Sequence, residues 1–336
     1  MRRGRSKPSP LAVRSSERDA TPMGLPRPAA PVPQDHGKAQ PNSPADTQTT
    51  QHLVIIGDAR QMQEVGDESV HFVVTSPPYW CIKDYAHPDQ IGAGQSYEQY
   101  LDDLSLVLRE AARALHRGCR MAVNIGDQFL RGAEHGRYRL QPIAADVINI
   151  GRRLGLDYMG TIIWRKITTT LTSGGGVWMG SIYYPRDGHI TYEHEYIVLL
   201  RKPGRPPGPP SRQAKQLSRL TKQQRSAWFR GIWDDIPPVR QESHQAMFPV
   251  GLPARLIRMY TFWGETVLDP FLGSGTTCIA AALEGRNSIG YEINPTYEAV
   301  IRQRWRAEIV DSGQAPLPAR LEVVQKTGEN TWRGGE

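Results

Sequence analysis

Thr266-Val267-Leu268-Asp269-Pro270-Phe271-Leu272-Gly273-Ser274-Gly275-Thr276-Thr277 passes from a short apolar stretch, through an acid and a glycine-rich turn, into a segment of helical character. A turn of this kind lets a ligand come close to the backbone. The next strand candidate, Ser288-Ile289-Gly290-Tyr291, leads to Glu292. In a doubly wound sheet an acid at that place can accept hydrogen bonds from ribose hydroxyls. Gly-x-Gly alone reads equally well as an ordinary tight turn. Strand, acid, turn and second acid together describe a site for an adenosine-containing cofactor. Two familiar competitors fail on the letters. A dinucleotide fingerprint wants a third glycine where Cys278 stands, and a phosphate loop wants lysine where Thr276 stands.

Further strands are expected upstream at Leu53-Val54-Ile55-Ile56, Val70-His71-Phe72-Val73-Val74, Met121 to Ile125, Thr161 to Trp164 and Tyr196 to Leu200. Between Tyr97 and His116 the residues Leu101, Leu104, Leu108, Ala111 and Leu115 recur at helical spacing, and Gly118 offers a stop. A second helix is expected through Ile143, Val147, Ile150 and Leu154, a third over Ala254 to Tyr260, and a fourth over Thr276 to Leu283. Strands alternating with helices imply an α/β domain around a parallel, doubly wound sheet.

The second chemical signal is Thr75-Ser76-Pro77-Pro78-Tyr79-Trp80, which ends a buried strand at the edge where open α/β sheets bind ligands. By itself a Pro-Pro pair marks a turn. Beside the cofactor turn it acquires a chemical sense. The exocyclic amine of cytosine or adenine is a poor nucleophile because its lone pair is delocalised into the ring. Acceptors aimed at the amine protons localise that pair, and the Ser76 hydroxyl and Pro77 carbonyl can supply two of them. Tyr79, with Trp80 beside it, offers an aromatic platform for a base flipped out of its duplex.

These residues resemble the amino-methyltransferases of bacterial and phage DNA, in the group whose catalytic motif precedes its cofactor motif. The resemblance covers roughly residues 53–305. Further matches are Gly57-Asp58, Gln95-Ser96-Tyr97, Asn124-Ile125-Gly126-Asp127, Gly290 to Asn294 and Glu195 to Lys202. It implies a Rossmann-like, circularly permuted S-adenosylmethionine-dependent methyltransferase fold with an inserted target-recognition region. By position, Ser76, Pro77, Pro78 and Tyr79 would form the amine pocket. The cofactor site would comprise Asp58, Phe248, Pro249, Asp269, Phe271, Gly273, Ser274, Gly275, Thr276 and Glu292. His244 to Pro249 is similar to a His-Pro-x-x-Phe-Pro segment, with Gln245 where the family carries proline. Serine at position 76 implies cytosine N4 as the methyl acceptor. Adenine N6 is the first alternative, a DNA-recognition protein without catalysis the second and a nicotinamide dehydrogenase the third. Carbon-5 methylation is disfavoured, because the chain holds no Pro-Cys pair to supply its nucleophile.

Composition agrees with this picture without deciding it. Of the net charge of +7, residues 1–50 carry +4, from eight Lys/Arg against four Asp/Glu. That stretch is basic and proline-rich without apolar periodicity and is expected to be a disordered tail. Residues 201–230 hold nine Lys/Arg and no Asp/Glu, together with Trp228 and Phe229. Double-stranded DNA is the expected partner, with target recognition over 203–243 and phosphate contacts from Arg212, Lys215 and Arg219. Both this run and Thr168 to Tyr184, with Ser173-Gly174-Gly175-Gly176, Trp178 and Tyr183, are able to meet DNA; a solvated basic linker is the plainer reading of the run.

The catalytic half of the domain is expected over 51–202, the cofactor half over 244–310 and a C-terminal extension over 311–336. Three widely spaced cysteines and nine unclustered histidines give no metal-ligand spacing. No apolar run approaches membrane-spanning length. A cytoplasmic enzyme of a prokaryote or phage follows as the expectation, acting on chromosomal DNA and functionally paired with a cognate restriction endonuclease.

Overall fold

The computed structural model describes residues 49–82, 84, 86–130, 132–166, 193–238 and 248–326. Residues 1–48 of the expected tail, the segment Thr168 to Tyr184, and His244 with Gln245 lie outside the described residues. All of the described chain belongs to one compact unit, Asp46–Glu336.

Two short strands, β1 (Thr50–Ile56) and β2 (Val70–Thr75), open the domain and lead into α1 (Tyr97–Ala114). Helix α1 starts on a capping box in which Ser96 Oγ accepts from Gln99 N at 3.2 Å and Gln99 Oε1 accepts from Ser96 N at 2.9 Å. The chain leaves α1 directly into β3 (Leu115–Ile125), a small hairpin of β4 (Gln128–Leu130) and β5 (Arg139–Gln141) flanking α2 (Gly132–His135), then α3 (Ile143–Arg153) and β6 (Asp157–Arg165). Next come β7 (His194–Arg201), the short helices α4 (Arg212–Leu217) and α5 (Lys222–Trp228), and β8 (Ile232–Trp233). The chain closes with α6 (Gly251–Tyr260), β9 (Thr266–Asp269), α7 (Thr276–Leu283), β10 (Asn287–Glu292), α8 (Tyr297–Trp305) and β11 (Ala319–Gln325).

One nine-stranded sheet organises these elements in the order β11-β1-β10-β9-β2-β3-β7-β6-β8. The cofactor strand β9 and the catalytic strand β2 are parallel neighbours, although nearly two hundred residues separate their ends (Val73 pairs with Leu268). Strand side chains alternate between two helical layers, as the two-residue period requires. Val73 joins the cluster built by α1 and α3, whereas Phe72 and Val74 join the one built by α6 and α7. On the second face Val54 and Ile56 pack with α7 and α8.

Two sequence expectations need correction. Gly118 does not stop α1; it lies inside β3 with φ +75°, where a Cβ would meet Pro206 N at 2.6 Å. It therefore admits the segment that follows β7. The sheet is also not wholly parallel, because β7 runs antiparallel to both β3 and β6. Lys166 N donates to Glu193 O at 2.8 Å, so the chain re-enters the sheet at the edge it left and must run back. Within residues 311–336, β11 pairs in parallel with β1 along its full length.

Candidate active site

The strand ends of β1, β2, β9 and β10 surround a cleft of about 940 Å³ open to solvent. Its wall includes Ser76 and Pro78 from the catalytic hexapeptide, Phe271, Gly273, Ser274 and Thr276 from the glycine turn, and Asp58, Phe248 and Glu292. Nine expected site residues thus converge from distant stretches of chain. Five do not line it: Pro77, Tyr79, Pro249, Asp269 and Gly275.

Asp269 is fully buried. Its carboxylate accepts from Thr75 Oγ1 at 2.6 Å, Phe271 N at 3.0 Å and Thr277 Oγ1 at 2.5 Å. It ties the end of the catalytic strand to both sides of the glycine turn. Burial pushes its carboxyl up to about 6 against the lowering effect of these donors. Gly275 holds φ +88° at the start of α7, a conformation that glycine takes without strain. The hydroxyls of Ser274 and Thr276 are turned towards Arg304 of α8, whose Nη1 donates to them at 2.7 and 2.9 Å. Sequence reading missed Arg304 because it belongs to an otherwise ordinary polar helix.

Glu292 Oε2 accepts from Gly273 N at 2.8 Å, and Oε1 accepts from Asn294 N at 2.8 Å. The carboxylate still has acceptor capacity for a ligand in the cleft. Burial raises this carboxyl to about 7, a value that responds to whatever donors a ligand brings. On the neighbouring strand end, where Gly57 N donates to Glu292 O at 2.8 Å, Arg60 Nε donates to Asp58 Oδ2 at 2.8 Å, and Arg60 Nη1 reaches Asp103 of α1 at 2.7 Å. A Cβ at Gly273 would meet nothing within 4 Å, so the turn faces open space. An acid with spare acceptor capacity, a bare glycine turn and apolar walls from Phe248, Phe271 and Tyr291 suit an adenosyl group carrying ribose hydroxyls and a cationic sulfur.

At the other end, Ser76 Oγ lies 3.3 Å from Tyr79 Oη, and Asn124 Nδ2 donates to Tyr79 Oη at 3.2 Å. The Tyr79 ring sits against Gly126, where an added Cβ would be 3.1 Å from Cε2. Tyr100 Oη donates to the Pro78 carbonyl at 2.8 Å. Trp80 is not a second stacking platform. It is 8% exposed, its Nε1 donates to Gln95 O at 2.9 Å, and its ring meets Tyr97 edge-on at 5.2 Å. It adopts φ +50°, a left-handed conformation that costs a non-glycine residue about 1–3 kcal/mol and clusters at functional sites.

Arg212, Lys215 and Arg219 are not brought to this cleft. Ser218 Oγ, at the end of α4, accepts from Trp263 N at 2.7 Å, and Trp263 precedes the start of β9. Helix α4 therefore lies at the edge where the parallel strands begin, separated from Ser76 by about 20 Å of strand length. Only further on does the segment climb alongside α6, with Arg258 over the Trp228 ring at 5.1 Å, to β8 beside the end of β6.

Comparison with known proteins agrees with this geometry. Residues 70–303 match the family model of the N6/N4 DNA methylases. The chain belongs to the DNA amino-methyltransferases. It is 35% identical over 287 residues to the type II methyltransferase M.MjaI of Methanocaldococcus jannaschii, covering 76% of this chain and 91% of that one. It is 34% identical to the type II methyltransferase M.MthZI of Methanothermobacter thermautotrophicus, over 76% of each chain. A solved structure from Thermus thermophilus, TTHA0409, described as a putative DNA modification methylase complexed with S-adenosyl-L-methionine, superposes with a TM-score of 0.64 at 39% identity, over 81% of this chain and 99% of that one. This methyltransferase uses S-adenosylmethionine and acts on an exocyclic amine of DNA. No helix among its described residues is long and apolar enough to cross a membrane.

Proposed function

We propose that this methyltransferase modifies cytosine at N4 within a specific duplex sequence, as the modifying partner of a cognate restriction endonuclease. The observation that carries the base assignment is Ser76: it places a hydroxyl, not a carboxylate or carboxamide, on the cleft wall at the end of β2. S-adenosylmethionine, when bound, supplies an activated methyl group. Gly273 and Glu292 would hold its ribose end, with Asp58, Phe248 and Phe271 lining the remainder.

The chain's own part in the reaction is positioning and polarisation. Ser76 Oγ and the Pro77 carbonyl accept the amine protons, which returns the lone pair to nitrogen. The Pro78 carbonyl accepts from Tyr100 Oη, which fixes the loop. Tyr79 stacks on the flipped base, its hydroxyl end fixed by Asn124. DNA is proposed to lie across the edge where β2 and β6 end and β7 begins. Expression in a host lacking DNA modification, followed by modification-sensitive sequencing of the host DNA, tests this reading. One short motif with modified cytosine is expected. Modified adenine in such a motif would overturn the base assignment, and unmodified DNA would overturn the function.

A further inference from the structure

Behind the catalytic hexapeptide lies a polar cluster of which the proposed reaction uses only the contact between Asn124 and Tyr79. Asn124, near the end of β3, is 2% exposed, and Glu195 at the start of β7 is 9% exposed. Asn124 Nδ2 donates to Glu195 Oε2 at 2.7 Å, to Tyr79 Oη at 3.2 Å and, at the limit of a hydrogen bond, to Ser76 Oγ at 3.5 Å. Lys166, one residue past β6, is hydrogen-bonded to the other oxygen of Glu195 and lies over the Trp164 ring, 4.9 Å from its centre. Asn124 Oδ1 is buried with no hydrogen-bond partner among the described residues.

Leaving a buried carbonyl unsatisfied costs about 1–3 kcal/mol, so something must favour this orientation of the amide over its flipped form. Glu195 supplies that preference. Its carboxylate accepts hydrogen bonds and cannot donate them, so a flipped amide would set Oδ1 against negative charge inside the protein. Lys166 contacts the other carboxylate oxygen directly and holds Glu195 in place. Charge on β7 therefore fixes which end of the Asn124 amide faces the hydroxyls of Ser76 and Tyr79. That end is a donor.

We infer that Lys166, Glu195 and Asn124 are positioning residues that act in series, fixing the hydrogen-bond polarity presented to Ser76 and Tyr79. The consequence for the reaction follows from the two-faced chemistry of a hydroxyl. With Asn124 held as a donor, neither Ser76 nor Tyr79 can turn its proton into the amide. The relative placement of their oxygens, and of the Tyr79 ring, is then set before the base arrives. Without the Glu195 carboxylate, the amide can flip to satisfy Oδ1, taking a hydroxyl proton and rotating Ser76 or Tyr79 out of register. Misplacement on the scale of 1 Å costs about 100-fold in rate.

This inference rests on the reading of Ser76 to Tyr79 as the amine pocket, and its test separates the two. Single-turnover transfer of labelled methyl to unmodified genomic duplex DNA is measured for wild type, Glu195→Gln, Lys166→Met, Lys166→Arg, the Lys166→Met/Glu195→Gln double variant and Ser76→Ala. S-adenosylmethionine affinity and Tm are measured on the same preparations. Glu195→Gln and Lys166→Met should each slow transfer by about 10- to 100-fold with cofactor Kd within about twofold of wild type. Lys166→Arg should recover most of the rate. The double variant should be no slower than Glu195→Gln alone, because the residues act in series. If Glu195→Gln does not fold, Lys166→Met against Lys166→Arg decides. Lys166→Met and Glu195→Gln at wild-type rate beside an inactive Ser76→Ala would overturn the inference alone. A fully active Ser76→Ala would overturn the pocket reading beneath it.

Discussion

Glu292 offers a sharp test of the cofactor cleft, because its carboxyl is raised to about 7 by burial and the role proposed for it requires charge. The neutral form has an O–H of its own and is a weaker acceptor for ribose hydroxyls. If only the carboxylate binds, the apparent Kd scales as 1 + 10^(7 − pH). Between pH 8 and pH 6 the cofactor should then bind about tenfold more weakly, roughly 1.4 kcal/mol. The free protein should show the opposite trend. A carboxyl raised on folding contributes stability that is present below its ordinary value of 4.5 and lost as pH rises through about 7, here about 3 kcal/mol. Cofactor-induced stabilisation should therefore grow with pH while the free fold weakens. Titration calorimetry at half-unit steps from pH 6 to 8 reads the first effect, and thermal unfolding with and without cofactor reads the second. Glu292→Gln should abolish the pH slope and weaken binding at pH 8 by about 1.5–3 kcal/mol, the worth of hydrogen bonds to a charged group. A wild-type Kd that is flat over this range, or a slope that survives in Glu292→Gln, would refute the role given to this carboxylate.

Other expectations follow from single contacts. Thr75→Val deletes the donor that joins β2 to Asp269 and should lower stability by about 1.5–3 kcal/mol in denaturant unfolding; a loss below about 0.5 kcal/mol would contradict the tie. Gly92→Ala drives a Cβ into the Trp80 carbonyl at φ +105°, and should lower Tm and turnover together. Gly94→Ala, also left-handed but with open space around its Cβ, should cost only the backbone term of about 1–2 kcal/mol, so equal effects at the two positions would contradict the close approach. Neutralising Arg212, Lys215 and Arg219 together should leave the salt dependence of DNA affinity unchanged, because α4 lies at the far edge of the sheet. A reduced slope would return these cations to the DNA interface.

The parts legible in the sequence were those written in local pattern. The strand, glycine turn and α7 occupy the residues that their spacing indicated, since Thr276–Leu283 is helical and Thr266–Asp269 is a strand. The convergence of Ser76 with Glu292 was legible only through motif order, because a parallel pairing across nearly two hundred residues leaves no periodic trace. What escaped was set by tertiary contact. An acid after a strand reads as a ligand contact, but Asp269 turned inward to hold Thr75 and Thr277. Trp80 looked like a stacking residue beside Tyr79, yet its indole found a partner in Gln95 and left the surface. The basic run drew attention by charge alone, and charge does not report which edge of a sheet a segment occupies. Asn124 and Glu195 stood within matched motifs, but only their approach to 2.7 Å suggests why a buried amide and acid occur there.

Methyl transfer to an amine held at Ser76 is tested most directly by incubating wild type and Ser76→Ala in parallel with S-adenosylmethionine and mixed-sequence duplex DNA, then identifying methylated nucleosides by mass spectrometry. N4-methylcytosine is expected from wild type, with a severe loss of it from the variant at matched cofactor occupancy. N6-methyladenine from wild type, or undiminished product from Ser76→Ala, would contradict it.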